Sequence, residues 1–281
     1  MKKKFDPFIY FVIFLLQIKV ISQTTYDIYC ELDSEEKIIT ISQSISFKNT
    51  SNKILDKIYL NDWANSYEGT ESQLVNHLAN QFNRSFYFSS KNKLGYTEIE
   101  SITDNQGPLA WTRLKDQLDI IEIIPDKLLN PGEIIIFSIN YKVKLPDDKF
   151  TGYGVNSNNK IFFRDFFISV SPLKKDTWIL QSNLGLRDNS NPPSSYLINW
   201  KYPNNYNLVS NLKNISKKNY DGDLISNQFE AAKLSSPEFI FDEKNDFEKI
   251  VFSDGFIVET DILPKKNGNV KLEKSLQKIY L

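Results

Sequence analysis

The residue types that carry most enzyme chemistry are scarce in this sequence of 281 residues. Histidine occurs once, at His77, and cysteine occurs once, at Cys30. His77 is the only possible histidine base for a serine or cysteine nucleophile, and no Gly-x-Ser-x-Gly turn or second cysteine accompanies it. The sequence predicts that His77 is exposed on a short helix. Cys30, in phase with Ile28 and Leu32, is predicted to be a small buried hydrophobe.

Carboxylate pairs and aromatic rings are the other groups that could bind a ligand. The pairs at Asp147-Asp148 and Asp221-Gly222-Asp223 lack the twelve-residue pattern of a calcium loop, so the sequence favours turns at both places. Exposed rings could bind sugars or a peptide, but β-layers bury rings readily, and we interpret these rings as core. The aromatic residues concentrated in the second half are Phe162, Phe163, Phe166, Phe167, Trp178 and Trp200.

Strands must position most of these residues. Apolar residues alternate over residues 26–32 and 39–47, which predicts a hairpin with one buried face, and residues 58–60 predict a third strand in meander with it. Residues 134–143 are apolar in both phases, so both faces of that strand are expected to be covered. Many short strands between turn signals predict a mainly β fold, a layered or saddle-like β-sandwich. Further strands are predicted at residues 96–102, 118–124, 160–170, 177–181, 196–200, 239–241 and 256–262.

Two segments have helical periodicity instead. Leu74, Leu78 and Phe82 recur every four residues, which predicts one short helix near residues 73–82. At the other end, residues 265–281 are predicted to be a linker and a C-terminal helix stub with an apolar stripe. No Gly or Asn stop signal ends that helix, which indicates an interrupted domain. The stripe consists of Leu272, Leu276 and either Ile279 or Tyr280.

The amino terminus has the layout of a secretory signal. Lysines at positions 2–4 precede an apolar run at residues 8–16, which is too short to cross a bilayer. We therefore predict a signal peptide at residues 1–23 and export to the periplasm, the cell surface or the medium; an uncleaved anchor is the alternative. The net charge of −1 argues against nucleic acid as a partner. With a single cysteine, no intrachain disulfide stabilises the fold.

Four segments occur in an order that is characteristic of a known protein family. They are Ile45-Ser46-Phe47-Lys48-Asn49-Thr50, Asn61-Asp62-Trp63-Ala64-Asn65-Ser66, Leu129-Asn130-Pro131-Gly132-Glu133 and Val209-Ser210-Asn211-Leu212. The third is followed by a strand and by the pair Gly152-Tyr153. Together they resemble the N-terminal β-domain of the aminopeptidase-N-like (gluzincin) zinc metallopeptidases, and the second is similar to a bacterial secreted branch.

The resemblance implies a noncatalytic β-domain at residues 24–264 that flanks the substrate cleft of a secreted enzyme. Family members hold zinc with a His-Glu-x-x-His helix and a further glutamate. That motif does not occur here, so we predict a chain that is inactive alone and has no cofactor of its own, with zinc only in a missing catalytic domain. No substrate-contacting residue is assigned, because residues 187–193 depart from the family's Asp-Glu-Pro turn.

The resemblance also implies partners. The peptidase catalytic domain is expected in cis or in trans, and a peptide substrate only in the intact enzyme. Leu272, Leu276, Ile279 and Tyr280 would begin the interdomain seam. The sequence leaves a function of another class open, in which the chain is a stand-alone secreted β-sandwich that binds polysaccharide or protein and its last helix packs on its own sheets.

Overall fold

The computed structural model describes residues 24–186, 191–219, 223–244, 247–251 and 257–260. Strands make up 52% of these residues and helical segments 9%, which confirms the mainly β class. The predicted signal peptide and the predicted C-terminal helix stub lie outside the described residues. In the part of the chain that is described, no helix has the length and apolar character needed to span a membrane.

The elements have the following bounds. The helices are α1 (Gln73–Asn80) and three short 3-10 helices (Trp63–Tyr67, Lys91–Lys93 and Asp148–Phe150). The strands are β1 (Thr24–Asp33), β2 (Ile38–Lys48), β3 (Ile58–Asn61), β4 (Tyr96–Asp104), β5 (Ala110–Leu114), β6 (Gln117–Ile124), β7 (Ile134–Lys144), β8 (Gly154–Val155), β9 (Ile161–Arg164), β10 (Ser169–Val170), β11 (Leu173–Lys174), β12 (Thr177–Trp178), β13 (Ser194–Pro203), β14 (Asn207–Ser210), β15 (Lys213–Asn219), β16 (Leu224–Leu234), β17 (Glu238–Asp242), β18 (Glu248–Val251) and β19 (Ile257–Thr260).

The largest sheet has seven strands in the order β15-β16-β13-β1-β2-β7-β4. The predicted hairpin is confirmed, because β1 and β2 pair antiparallel with Ile28 opposite Gln43. β1 also pairs with β13, in parallel, so strands far apart in the sequence are neighbours in the sheet. Every second residue of β1 is buried, which places one face of this sheet on the core.

The third predicted strand does not continue the hairpin. β3 pairs with β6 and β10 in a four-stranded sheet of order β10-β3-β6-β5, so the predicted meander is wrong. The buried Asn49 ends β2: its Nδ2 donates to the carbonyl oxygens of Lys53 and Leu129 at 2.8 and 2.9 Å. These bonds divert the chain out of the first sheet and into the second layer.

The two four-stranded sheets pack on one face of the seven-stranded sheet. A second four-stranded sheet has the order β14-β17-β9-β8, and β11-β12 and β18-β19 form two-stranded pairs. Direct hydrogen bonds join the layers: Gln43 Nε2 donates to the Ile168 carbonyl at 2.6 Å, and the Val170 amide donates to the Tyr26 hydroxyl at 3.0 Å. The result is the layered, sandwich-like architecture that the alternation predicted.

Aromatic rings fill the space between the layers. Trp200 is fully buried, and its ring lies 5.5, 5.3 and 4.9 Å from those of Phe163, Phe239 and Phe241. Phe166 and Phe167 are also buried. The expectation that the second-half aromatics form core is confirmed for these rings, and Phe162 and Trp178 are half-buried.

Three strand predictions are wrong in part, and the simplest case is residues 177–181, where strand covers only β12 (Thr177–Trp178). β7 is covered on one face only, because Ile134 and Ile136 are 58% and 59% exposed while Phe137 and Ile139 are buried. The exposed pair points away from the smaller sheets, so apolar residues in both phases did not indicate two covered faces here. The predicted strand at residues 160–170 divides into β9 and β10, because Asp165 adopts a left-handed φ of 56° that breaks the extended chain.

The short helix is predicted well at its start and badly at its end. The Ser72 hydroxyl caps α1 by accepting a hydrogen bond from the Val75 amide at 3.3 Å, and Leu74 and Val75 are buried. The helix ends at Asn80, and Phe82 has a left-handed φ of 63° and is 92% exposed. Phe82 therefore does not belong to the buried stripe, although its spacing from Leu74 and Leu78 suggested it.

Candidate functional site

The reactive side chains singled out in the sequence are not assembled into a catalytic group in the described residues. His77 is half-buried rather than exposed, and its Nε2 lies 3.0 Å from Nε2 of Gln81. Cys30 is free and buried as predicted, and burial raises the pKa of its thiol well above the ordinary value. Asp147 takes part in a turn, where its carboxylate accepts from the Lys149 amide at 3.2 Å. Asp221, Gly222 and the four seam residues lie outside the described residues.

The described residues do not fit the zinc site that the resemblance associates with the catalytic domain. Across residues 24–260, wherever the structure describes them, no group of three or more His, Cys, Asp and Glu side chains is arranged to hold a metal ion. A site of that kind needs at least two imidazoles, and the whole sequence has one. We therefore derive no metal-dependent step for this chain.

The most elaborate polar arrangement in the described residues surrounds the short helix Trp63–Tyr67. Asp62, at the start of this helix, is fully buried and forms an ion pair with Arg113 at 2.7 Å. Its other carboxylate oxygen accepts from the Thr97 hydroxyl, also at 2.7 Å. Asn65 accepts from the Thr97 amide at 3.1 Å and donates to the Leu118 carbonyl at 3.2 Å. The helix is thus fixed to β4, β5 and β6 by satisfied buried polar groups.

A second buried carboxylate lies next to the first. Asp119 Oδ1 accepts from the Ser182 hydroxyl at 2.9 Å, and Oδ2 accepts from the Asn183 amide at 2.7 Å. Burial raises the pKa of Asp119, and these two hydrogen bonds together lower it less than burial raises it. The nearby charge of Asp62 also raises it. Through its hydrogen bonds to Ser182 and Asn183, Asp119 acts as an anchor for the chain around residue 183.

Asp119 and the short helix Trp63–Tyr67 hold an irregular stretch of chain, residues 179–186, which we call the 179–186 segment. It contains neither helix nor strand. Besides Asp119, it is bound by Trp63, whose indole Nε1 donates to the Gln181 carbonyl at 2.9 Å. The Asn183 side chain donates to the Ser66 hydroxyl at 2.9 Å and accepts from the Gly185 amide at 2.9 Å.

The inner side of the 179–186 segment is buried and its outer side is open. Ser182 and Asn183 are buried, whereas Ile179 and Leu186 are 36% and 50% exposed. A backbone without regular structure, fixed by side-chain hydrogen bonds on one side and bearing apolar groups on the other, is suited to hold a contact surface in one conformation. Its one hydroxyl group, on Ser182, is buried and donates to Asp119, so this contact fixes the segment in place.

Sequence reasoning found only half of this site. The segment 61–66 was singled out by its resemblance, but Asp119, Arg113 and Asn183 were not. One signal was present: Asp119 interrupts the apolar run of β6, and a charged residue in an otherwise apolar strand is retained only where it has a partner. The partners lie 64 and 63 residues away at Asn183 and Ser182, so only the folded chain identifies them.

Comparison with known proteins supports the fold. No family model matches the sequence, and no curated protein matches it. Among solved structures, an M1 zinc metallopeptidase from Deinococcus radiodurans is similar with a TM-score of 0.52 at 12% identity, covering 92% of this chain and 52% of that chain. A single-residue mutant of an M1 zinc metallopeptidase from the same organism gives a TM-score of 0.53 at the same identity and coverage.

The fold resembles the N-terminal domain of M1 metallopeptidases. A two-domain M1 zinc metallopeptidase mutant bound to L-arginine is similar to this chain to the same degree, with a TM-score of 0.52 at 12% identity. The present chain spans about half the length of these solved structures, 52% in each. At this identity the likeness is one of fold.

Proposed function

We propose that this chain is the noncatalytic N-terminal domain of a secreted zinc aminopeptidase-like metallopeptidase and that it flanks the substrate cleft of a catalytic domain, which is joined in cis or bound in trans. The observation that carries the proposal is the pair of coverages: the solved metallopeptidases match 92% of this chain, yet this chain matches only 52% of them. The unmatched half is where such an enzyme would place its metal chemistry. The domain at residues 24–264 then contributes shape rather than reactive groups.

The 179–186 segment is the surface we assign to the cleft. Its backbone is fixed from below by Asp119 and Trp63, while Ile179 and Leu186 are open to a neighbouring domain. A rigid wall at one end of a groove restricts access to free chain termini and holds the amino end of a peptide close to the metal. Zinc itself belongs to the catalytic domain, and the peptide substrate binds only when both parts are present.

Two further parts of the proposal concern residues outside the described ranges. Residues 1–23 act as a signal peptide, so the protein is exported to the periplasm, the cell surface or the medium. Residues 265–281 form the linker and the first helix of the peptidase domain, with Leu272, Leu276, Ile279 and Tyr280 in the interdomain seam. Mass spectrometry of the exported protein tests the first part, and an amino terminus close to Gln23 is expected.

The noncatalytic role is tested on the purified chain. We expect no stoichiometric zinc by elemental analysis and no amino acid released from aminoacyl p-nitroanilides. A chelator-sensitive release of amino acid would refute the proposal. The reading frame beyond Leu281 provides an independent test, since a His-Glu-x-x-His motif is expected within about one further domain length, roughly 100–200 residues. Its absence, together with failure to recover a separate catalytic chain, would also refute it.

The role of the 179–186 segment is tested in the assembled enzyme. Leu186→Asp places a charge on the proposed wall, and Leu128→Asp places the same charge on a leucine that is exposed elsewhere, 60% against 50%. We expect Leu186→Asp to raise KM for peptides or to release the catalytic domain, and Leu128→Asp to do neither. Equal effects of the two substitutions would place the cleft elsewhere.

A further inference from the structure

The outer face of the seven-stranded sheet carries no layer within the described residues. In β1 the outward residues are exposed in strict alternation with the buried ones, and β2 repeats the pattern. A groove of about 370 Å³ runs across this face over β2, β1, β13, β16 and β15. It lies on the opposite side of the sheet from the layers that contain the 179–186 segment, so the proposed cleft does not account for it.

A continuous row of uncharged hydrogen-bonding side chains crosses this face. The register of the pairs β15-β16, β16-β13, β13-β1, β1-β2, β2-β7 and β7-β4 places one residue of each strand opposite the next. Neighbouring strands lie about 4.8 Å apart, so the row is roughly 29 Å long. We call it the polar row. Its members are Ser216, Gln228, Asn199, Tyr29, Ser42, Asn140 and Ser101.

Two members of the polar row are suited to a ligand. The ring of Tyr29, near the middle of the row, is 59% exposed. Asn199 lies beside it on β13, lines the groove, and has a buried Nδ2 without a hydrogen-bond partner in the described part of the protein. Because buried donors are nearly always satisfied, an unpaired one at the base of a groove indicates a group that a bound molecule completes after a small side-chain rotation.

The groove has little net charge to offer. Three charged residues line it, Glu31, Lys201 and Lys218, and the first two form an ion pair at 2.9 Å. On the far side of the row, Lys142 is paired with Glu100 at 2.8 Å. Apart from Lys218, these charged side chains are paired with one another, and the polar row itself offers hydroxyls, carboxamides and one ring.

We propose that the polar row binds a neutral polysaccharide chain laid across the strands. Hydroxyl and carboxamide groups exchange hydrogen bonds with sugar hydroxyls, and the Tyr29 ring stacks on the apolar face of one sugar. A protein partner is disfavoured because the centre of a protein interface is enriched in apolar and aromatic residues, and this row has a single ring. The binding site goes beyond the proposed function, since it needs neither a catalytic domain nor the 179–186 segment.

The test is affinity electrophoresis of the purified chain in native gels that contain hydroxyethyl cellulose, xylan, galactomannan or dextran. We expect retardation by at least one of these polymers, unchanged at high salt. Tyr29→Ala should weaken it about fivefold or more, since an aromatic contact contributes on the order of 1 kcal/mol beyond its area. Tyr87→Ala removes a tyrosine that is 50% exposed on a loop outside the groove and should leave retardation unchanged.

Asn199→Ala separates a binding role from a structural one. The amide nitrogen has no partner to lose in the free chain, so we expect an unchanged thermal midpoint and weaker retardation. No retardation by any of the four polymers would overturn the proposal, as would equal effects of Tyr29→Ala and Tyr87→Ala. A change of oligomeric state in Tyr29→Ala without a change in retardation would also overturn it, by making the face a contact between copies of the chain.

Discussion

Nη2 of Arg113 lies 2.7 Å from Oδ2 of Asp62, a carboxylate whose side chain is completely buried. The same guanidinium donates through Nη1 to the Leu118 carbonyl at 2.9 Å. The ion pair therefore neutralises a buried charge and joins the short helix Trp63–Tyr67 to β5 and β6. The same helix bonds to the 179–186 segment through Trp63 and Ser66.

Arg113→Met tests that contact. Removal of one partner leaves the Asp62 charge buried and unpaired, and we expect a loss of about 3 kcal/mol in the free energy of unfolding. The matched control is Lys142→Met, which breaks a pair whose side chains are 42% and 45% exposed, for which a loss of at most about 1 kcal/mol is expected. Urea denaturation measures both. Similar losses would mean that Arg113 contributes through packing rather than through charge.

Asp119→Asn tests the pH dependence of the second anchor. Because burial raises the pKa of Asp119 above its ordinary value of 3.8, the folded chain binds this proton more tightly than the unfolded chain does. The contribution of Asp119 to stability is therefore greatest below that ordinary value and decreases as the pH rises through the raised folded pKa. We expect the stability of the natural chain relative to the variant to fall as the pH rises from below 3.8 through the raised folded pKa, measured by urea denaturation. A difference that rises over this range would contradict the assigned direction.

Phe239→Ala and Phe82→Ala compare two phenylalanines in opposite surroundings. Phe239 is fully buried against Trp200, and Phe82 is 92% exposed after the end of α1. We expect Phe239→Ala to lower the unfolding free energy by about 4 kcal/mol because it leaves a cavity between the layers. Phe82→Ala should change it by less than about 0.5 kcal/mol. A large loss in the second variant would show that the loop after α1 packs on the core in solution.

Gly154→Ala tests a close approach of two backbones. Gly154 has a φ of +110°, and a Cβ there would lie 2.1 Å from the Pro146 carbonyl oxygen. Strain and steric overlap together should cost about 2 kcal/mol or more, seen as a lower thermal midpoint. Gly69→Ala is the control, because no atom lies within 4 Å of the position of its Cβ. Equal midpoints for the two variants would contradict the close approach at β8.

Much of the fold was predictable because buried faces of strands and helices appear in the sequence as regularly spaced apolar residues. The alternation from Tyr26 to Leu32 predicted both the strand and the burial of Cys30, and the four-residue spacing of Leu74 and Leu78 predicted α1. Predictions failed where a single backbone angle or a distant partner decided the outcome. The left-handed φ of Asp165 divides one strand into two, and the bonds of Asn49 send β3 to a different sheet.

The sequence by itself determined the class of fold, the direction in which most strands face, and the scarcity of metal-binding and nucleophilic side chains, because these follow from residue type and short-range periodicity. The tertiary structure decided which strands are neighbours, how Asp119 meets Asn183, and how seven polar residues of seven strands form one row. Such contacts join residues far apart in the chain. Whether they form depends on how the layers pack on a shared core, and the spacing of residues along the chain does not predict that packing.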